Sequence, residues 1–141
     1  MPSETLFLDS AYAIALAAPD DESHSQAATL AAELRLRNLP MLTTEAVVFE
    51  IGDALSKPKF RRVAIELMTS LFTDPQIKVV PITSALVQRA FELFQRRPDK
   101  GWGMTDCLSF VVMEDHGIRR ALTTDEHFEQ AGFVALLKPN L

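Results

Sequence analysis

The sequence has a single cysteine, no long apolar run and no excess of basic charge. Cys107 alone cannot form an internal disulfide framework or a zinc site built from several cysteines. No apolar stretch approaches the roughly 20 residues of a membrane helix, and no basic segment opens the chain as in a secretory leader. These absences predict a protein without membrane spans or leader, and therefore a cytoplasmic location.

The charge balance is acidic, with 14 basic and 19 acidic side chains and a formal net charge of −5. Proteins that bind nucleic acids are usually basic, so this balance argues against one at first. If four acids line a metal site, however, 15 acids remain against 14 bases and the rest of the surface is close to neutral. The acidic balance alone therefore does not exclude a protein that binds nucleic acids.

The length and composition predict one domain over residues 1–141, because 141 residues with 48% hydrophobic content suffice for a full core. Short apolar runs alternate with amphipathic segments. Strands are predicted at residues 5–8, 41–43, 77–82, 121–123 and 134–137, and helices at 11–17, 27–37, 45–56, 60–72, 84–95, 105–116 and 125–130. This alternation predicts an α/β fold, a three-layer α/β/α sandwich with a mainly parallel central sheet.

Two helices carry apolar stripes that are predicted to face inward. The helix after Thr83, its predicted N-cap, directs Leu86, Val87, Ala90, Phe91 and Phe94 toward the core. The helix before it contributes Leu71 and Phe72. Part of such a stripe can instead face a second copy of the chain.

Four carboxylates lie where a parallel sheet places its ligand site. Asp9 directly follows the first strand, and Asp125 follows residues 121–123 by two positions. Asp106 lies in the first turn of an apolar helix, and Glu50 lies at the border of the apolar stripe of residues 45–56. Because ligands bind beyond the carboxyl ends of parallel strands, the four acids are expected to meet.

Each acid also has an ordinary explanation. Asp9 and Asp125 are possible N-caps, Asp106 complements a helix dipole, and Glu50 suits a surface salt bridge. Four independent coincidences at matching edges of one sheet are a weaker account than a shared site. Clustered carboxylates repel unless a divalent cation is present, and hard oxygen ligands suit Mg²⁺ or Mn²⁺. Such a site favours phosphodiester hydrolysis.

The segments around the four acids resemble the PIN domain, and in particular the VapC-type toxin ribonucleases. They are LFLDS at Asp9, TTEAVVFE ending at Glu50, DKGWGMTDC at Asp106 and LTTDEHFEQAGF at Asp125. The resemblance spans nearly the whole chain, with the acids in the family's order. It implies a three-layer α/β/α fold, an Mg²⁺- or Mn²⁺-dependent endoribonuclease that acts on RNA, a homodimer and a neutralising antitoxin partner.

The resemblance also implies roles for individual residues. Asp9, Glu50, Asp106 and Asp125 are the expected catalytic acids, with Asp9, Asp106 and Asp125 as metal ligands. Glu50 completes the pocket, as a ligand or by positioning the attacking water. Hydrogen-bond partners for these acids are expected from Ser10, Thr105 and Thr124.

The sequence departs from the family pattern at two positions. Gly103 stands where the family often has Ser, which removes a hydroxyl that caps the following helix. Glu45 stands where a neutral polar residue is common. Neither replaces one of the four acids, although the surroundings of the site are affected.

Two basic clusters are candidates for contacts with the RNA backbone. One comprises Lys57, Lys59, Arg61 and Arg62, and the other comprises Arg96, Arg97 and Lys100 just before Asp106. Solvated helix faces are the competing explanation for both. Trp102 either stacks on a base or packs at the rim of the site. The three histidines lack the mutual spacing of a ligand pair, so none is predicted to bind metal.

Two alternative functions stay open at this point. One is a catalytically weak PIN-like module that binds RNA or a protein partner, which the loss of a hydroxyl at Gly103 favours. The other is a phosphoacceptor domain of the receiver type, which also holds Mg²⁺ in an acidic pocket. Leu137-Lys138-Pro139 resembles the terminal strand motif of receivers, but no Asp directly follows the strand at residues 77–82.

Overall fold

The computed structural model describes residues 4–137. Within them the chain forms five strands and seven helices. In chain order these are β1 (Leu6–Leu8), α1 (Ser10–Ala17), α2 (His24–Arg37), β2 (Met41–Thr44), α3 (Glu45–Ala54), α4 (Pro58–Thr73), β3 (Ile77–Val80), α5 (Ser84–Arg96), α6 (Met104–Asp115), β4 (Arg120–Leu122), α7 (Glu126–Gln130) and β5 (Val134–Ala135).

The sheet has the strand order β3-β2-β1-β4-β5, and every neighbouring pair is parallel. All five strands therefore end at the same edge of the sheet. The predicted α/β class with a parallel sheet is confirmed. Receiver domains have the order 2-1-3-4-5, so the receiver alternative is wrong.

The core forms where apolar strands meet apolar helix faces. All three residues of β1 are buried, as expected for a central strand covered on both faces. Helix α6 is buried from Cys107 to Met113. Phe110 on α6 packs edge-on against Phe128 of α7, with ring centroids 5.0 Å apart. This packing anchors the first turns of α6 and α7 close to each other.

The inward-facing prediction for α5 is wrong for three residues. Val87, Phe91 and Phe94 are 40%, 47% and 44% exposed, and their spacing places them on one stripe of the helix. The buried side of α5 is formed by Ala90, with Leu93 partly buried against the core. Phe72 on α4, also predicted to be buried, is 62% exposed. Because α5 carries apolar residues on two faces, the sequence pattern does not show which of the two is buried.

The remaining differences are at element ends. Strand β3 ends at Val80 rather than residue 82, since Pro81 has no N–H to donate to a ladder. Thr83 caps α5 as predicted, because its hydroxyl accepts from the backbone N–H of Leu86 at 3.1 Å. The Leu137-Lys138-Pro139 motif runs beyond the described residues. No helix within residues 4–137 combines the length and apolarity that crossing a membrane requires.

Candidate active site

Asp9 lies at the carboxyl end of the central strand β1. Leu8 pairs in register with Leu122 of β4, which brings Thr123 beside Asp9 across 114 residues of sequence. The Thr123 hydroxyl donates a 2.7 Å hydrogen bond to Oδ2 of Asp9. Asp9 occupies the N-cap position of α1, but its side chain makes no capping hydrogen bond. Helix capping therefore does not explain this carboxylate, which is 5% exposed.

Thr123 also connects Asp9 to Asp125. Its Oγ1 accepts from the backbone N–H of Asp125 at 3.0 Å. Asp125 in turn caps α7, because its Oδ1 accepts from the backbone N–H of His127 at 2.9 Å. The capping explanation is therefore correct for Asp125. The described hydrogen bonds of this carboxylate fall on Oδ1, which leaves Oδ2 for another partner.

Asp106 is the third residue of α6, near the positive end of the helix dipole. Its Oδ2 accepts from the backbone N–H of Gly103 at 3.1 Å and lies 3.0 Å from Nδ1 of His127. Gly103 has no side chain with which to complete a capping box, so only half of that motif forms. Both described contacts of the Asp106 carboxylate fall on Oδ2, and Oδ1 remains for another partner.

Glu50 reaches the same edge from α3. This helix begins directly after β2 because the Thr44 hydroxyl accepts from the backbone N–H of Val47 at 3.2 Å. Glu50 is half-buried, and its Oε1 accepts a 3.1 Å hydrogen bond from the hydroxyl of Ser10. Within residues 4–137 Glu50 forms no salt bridge. Its carboxylate is thus fixed by α1 rather than by a surface cation.

The four carboxylates interact electrostatically in one cleft. Burial, and to a lesser extent the charges of Glu50 and Asp106, raise the pKa of Asp9 to about 7, against the lowering effect of the Thr123 hydrogen bond. Burial also raises the pKa of Glu50, and the charges of Asp106 and Asp125 act in the same direction. No lysine or arginine in residues 4–137 forms a salt bridge with these acids. Because the set supplies several hard oxygen donors without a compensating cation, it fits a divalent metal ion.

His127 is the site residue that the sequence patterns did not predict. A ring nitrogen of His127 and one oxygen each of Asp106 and Asp125 lie within 4.8 Å of one another. Among the described residues, this is the only group of three ligand-type side chains that meets that limit. Asp9 and Glu50 lie outside this group but interact electrostatically with it. The sequence feature that identifies His127 is its position two residues after Asp125. The spacing among the three histidines does not show this relation.

The predicted hydroxyl partners are only partly the ones that the structure uses. Ser10 donates to Glu50, as described, and Thr123 rather than its neighbour Thr124 donates to Asp9. In the described part of the chain no hydrogen bond joins Thr105 or Thr124 to the four carboxylates. A role for those two residues stays a prediction.

The departure at Glu45 has a structural function. Its Oε1 accepts a 2.7 Å hydrogen bond from the backbone N–H of Ile82, which ties the start of α3 to the segment after β3. Gly103 adopts φ −81°, and a Cβ added there would meet no atom within 4 Å. A serine at this position is therefore sterically compatible with the fold.

The second basic cluster lies beside a cavity of about 470 Å³ between α5, α6 and the α7 region. Arg97 forms a two-point salt bridge with Asp99, both contacts at 3.0 Å. Arg96 lines the cavity and has no ion-pair partner within residues 4–137. Trp102 also lines it, but the ring is 5% exposed and its Nε1 donates to Gln130 at 3.0 Å. Trp102 is therefore a packed residue and not an exposed surface for base stacking.

Comparison with known proteins gives consistent results. A model of the PIN domain family matches residues 6–134. The 23S rRNA-specific endonuclease VapC20 from two strains of Mycobacterium tuberculosis is 27% identical over 129 residues, which cover 92% of this chain and 95% of the relative. The crystal structure of Mycobacterium tuberculosis VapC20, a sarcin–ricin-loop-cleaving toxin, superposes with a TM-score of 0.82 at 26% identity. That match covers 92% of this chain and 96% of the other. The chain therefore belongs to the PIN domain family, and its predicted resemblance to the VapC-type toxins is confirmed.

Proposed function

We propose that this protein is a divalent-metal-dependent endoribonuclease that hydrolyses RNA phosphodiester bonds as the toxin of a toxin–antitoxin pair. The observation that carries the proposal is the cleft of four carboxylates, Asp9, Glu50, Asp106 and Asp125, at the carboxyl edge of the sheet. Burial raises the pKa of two of these acids, Asp9 and Glu50, and the charges of neighbouring acids raise it further. A purely structural role does not account for such a group.

Mg²⁺ or Mn²⁺ is the proposed cofactor, held by Asp9, Asp106 and Asp125. Asp106 and Asp125 each use one oxygen for protein hydrogen bonds, so their other oxygens are the natural donors. When bound, such an ion lowers the pKa of a coordinated water and neutralises charge on the phosphate. The raised pKa of Glu50 suits it to accept a hydrogen bond, and then a proton, from the attacking water. The bond from Ser10 holds Glu50 in place for this role.

RNA is proposed to approach along the second basic cluster. Arg96, Arg97 and Lys100 are the candidates for phosphate contacts. Arg96 is the strongest of the three, because it is exposed and has no competing ion pair among the described residues. Arg97 is already held by Asp99, and Lys100 lies 4.0 Å from the same carboxylate. Those two are therefore expected to contribute less.

The relatives indicate a class of substrate. VapC20 is named for 23S rRNA and for cleavage of the sarcin–ricin loop. We propose a structured RNA, with ribosomal RNA as the first candidate, and a cytoplasmic location where that substrate occurs.

A homodimer and an antitoxin are the proposed protein partners. Val87, Phe91 and Phe94 form an exposed apolar stripe on α5, and Phe49 on α3 is 70% exposed. Exposed apolar side chains that share one helix face are typical of surfaces covered by a partner. The α5 stripe is the proposed dimer surface, and a Phe91→Glu variant that still sediments as a dimer would exclude it.

The function is tested by incubating the purified protein with end-labelled ribosomal RNA. Cleavage at discrete sites is expected with Mn²⁺, and it should stop when a chelator is added. The Asp106→Asn variant should be inactive under the same conditions. RNA binding without cleavage at any Mn²⁺ concentration would instead support the weak PIN-like binding module.

A further inference from the structure

We propose that His127 is a positioning residue of the site, which holds Asp106 through the N–H at Nδ1 while its backbone N–H holds Asp125. This inference rests on the proposed function, because it assigns a role within the same cleft. It concerns how the acids are held and not the identity of the metal or the RNA.

The geometry around Nδ1 carries the inference. Nδ1 lies 3.0 Å from Oδ2 of Asp106 and 3.4 Å from Oδ1 of Asp125. An ionised carboxylate oxygen can only accept a hydrogen bond, so the proton must be on Nδ1. The ring N–H therefore hydrogen-bonds Asp106 and makes only an electrostatic contact with Asp125. Asp125 is held instead by the backbone N–H of the same residue, so His127 contacts both acids.

The backbone that carries the His127 ring is anchored by the residue that follows it. The neighbouring Phe128 is fully buried and packs against Phe110 and Phe7, with centroid distances of 5.0 and 6.1 Å. The far nitrogen of the ring, Nε2, lies near Gly101, where an added Cβ would be 3.9 Å from it. The imidazole therefore lies between the acidic cleft and the loop before α6, with Nδ1 toward the acids.

The contacts of His127 determine which oxygen of each acid is free to face the cleft. Gly103 and His127 both contact Oδ2 of Asp106, which fixes the carboxylate plane and leaves Oδ1 available. At Asp125, the backbone and ring of His127 both approach Oδ1. His127 thereby selects the free oxygen of each acid. Partners that orient ligating groups in this way typically change metal affinity by about 10- to 100-fold when removed.

The tests use three substitutions that differ in where they place an N–H. The amide nitrogen of Asn falls near Nδ1 of the histidine, whereas that of Gln falls near Nε2. Mn²⁺ affinity is measured by calorimetry on the full chain without RNA. We expect His127→Ala and His127→Gln to weaken binding about 10-fold or more, and His127→Asn to restore it to within roughly 3-fold of the parent. His116→Ala is the control, since the described hydrogen-bond contact of the His116 ring is with the carbonyl of Val112 on α6.

A second readout does not depend on metal. Long-range ¹H–¹⁵N NMR spectra of the parent protein should show the proton of His127 on Nδ1. A neutral ring protonated only on Nε2 would overturn the proposal. Equal losses of Mn²⁺ affinity in the Asn, Gln and Ala variants would also overturn it, as would unchanged affinity in all three.

The competing role, direct metal ligation by the imidazole, has its own signature. Sites of oxygen ligands alone already bind Co²⁺ and Zn²⁺ more tightly than Mn²⁺, so the signature of ligation is a preference in the parent that falls sharply in His127→Asn. That result would overturn the positioning role. Failure of the proposed function is distinguishable from failure of this inference. If the parent cleaves RNA but all His127 variants cleave equally well, the function stands and the positioning role falls. If the parent neither binds Mn²⁺ nor cleaves RNA, the function itself falls, and this role falls with it.

Discussion

Replacing Asp9 with Asn should abolish RNA cleavage and yet stabilise the metal-free protein at neutral pH. An acid with a pKa of about 7 in the folded state and about 3.9 when unfolded binds its proton more tightly when folded. Its ionisation therefore destabilises the fold. The loss of stability begins as the pH rises above about 4 and is complete above about 7. Below pH 4 Asp9 is protonated in both the folded and the unfolded state, so it contributes no difference.

The magnitude follows from the shift. A rise of about three in the pKa of Asp9 corresponds to a loss of at most about 4 kcal/mol in the free energy of unfolding. Relaxation of the structure around the ionised group reduces this loss. Asn has nearly the same shape, and its carbonyl oxygen can still accept the hydrogen bond from Thr123. The free energy of unfolding of Asp9→Asn should therefore match that of the parent near pH 4 and exceed it by roughly 2–4 kcal/mol at pH 8.

The assay is urea unfolding in the presence of a chelator, followed through the fluorescence of the single tryptophan, Trp102. Asp20→Asn makes the same charge change at an exposed position and is the matched control. Adding Mn²⁺ at 100 times its Kd should then stabilise the parent by about 2.7 kcal/mol and the Asp9 variant by much less. A difference between Asp9→Asn and the parent that is the same at pH 4 and pH 8 would refute the reasoning.

Three further outcomes are expected. Thr123→Val removes both the donor to Asp9 and an acceptor for a backbone N–H, so it should lower the free energy of unfolding by about 1–3 kcal/mol in urea titrations. Thr123→Ser keeps the hydroxyl and should therefore retain most of the parent's stability. Gly103→Ser adds a capping hydroxyl at the start of α6, where an added Cβ meets no atom within 4 Å. It should raise the free energy of unfolding by a few tenths of a kcal/mol, and an unchanged urea midpoint would exclude capping. Arg96→Ala should weaken RNA binding in anisotropy measurements and reduce the salt slope by about one, whereas Arg37→Ala, at the exposed end of α2, should change neither.

The positions of the acids were predictable because they depend on one general rule. Residues that follow parallel strands meet at one edge of the sheet, so Asp9 and Asp125 were placed together without knowledge of the strand order. Helical periodicity placed Glu50 at the edge of the buried stripe of α3. The alternation of apolar runs with amphipathic segments likewise predicted the fold class and each element to within a few residues.

The contacts that orient the acids were not predictable in the same way. Thr123 meets Asp9 only because β4 pairs with β1, and this pairing joins segments that are 114 residues apart. Trp102 precedes the site in sequence, but its ring turns away to pack edge-on against Phe110 at 5.1 Å. On α5, apolar residues occupy two faces, and tertiary packing against α6 decides which face is buried. Pattern and spacing contain none of this information.

The central claim is that Asp9, Asp106 and Asp125 together bind the metal ion that RNA cleavage requires. Anomalous diffraction from a crystal soaked in Mn²⁺ tests this claim most directly. We expect a strong peak bounded by oxygens of these three carboxylates, and we expect the peak to disappear in Asp106→Asn. A peak elsewhere on the protein with an empty cleft, or a peak that persists unchanged in Asp106→Asn, would contradict it.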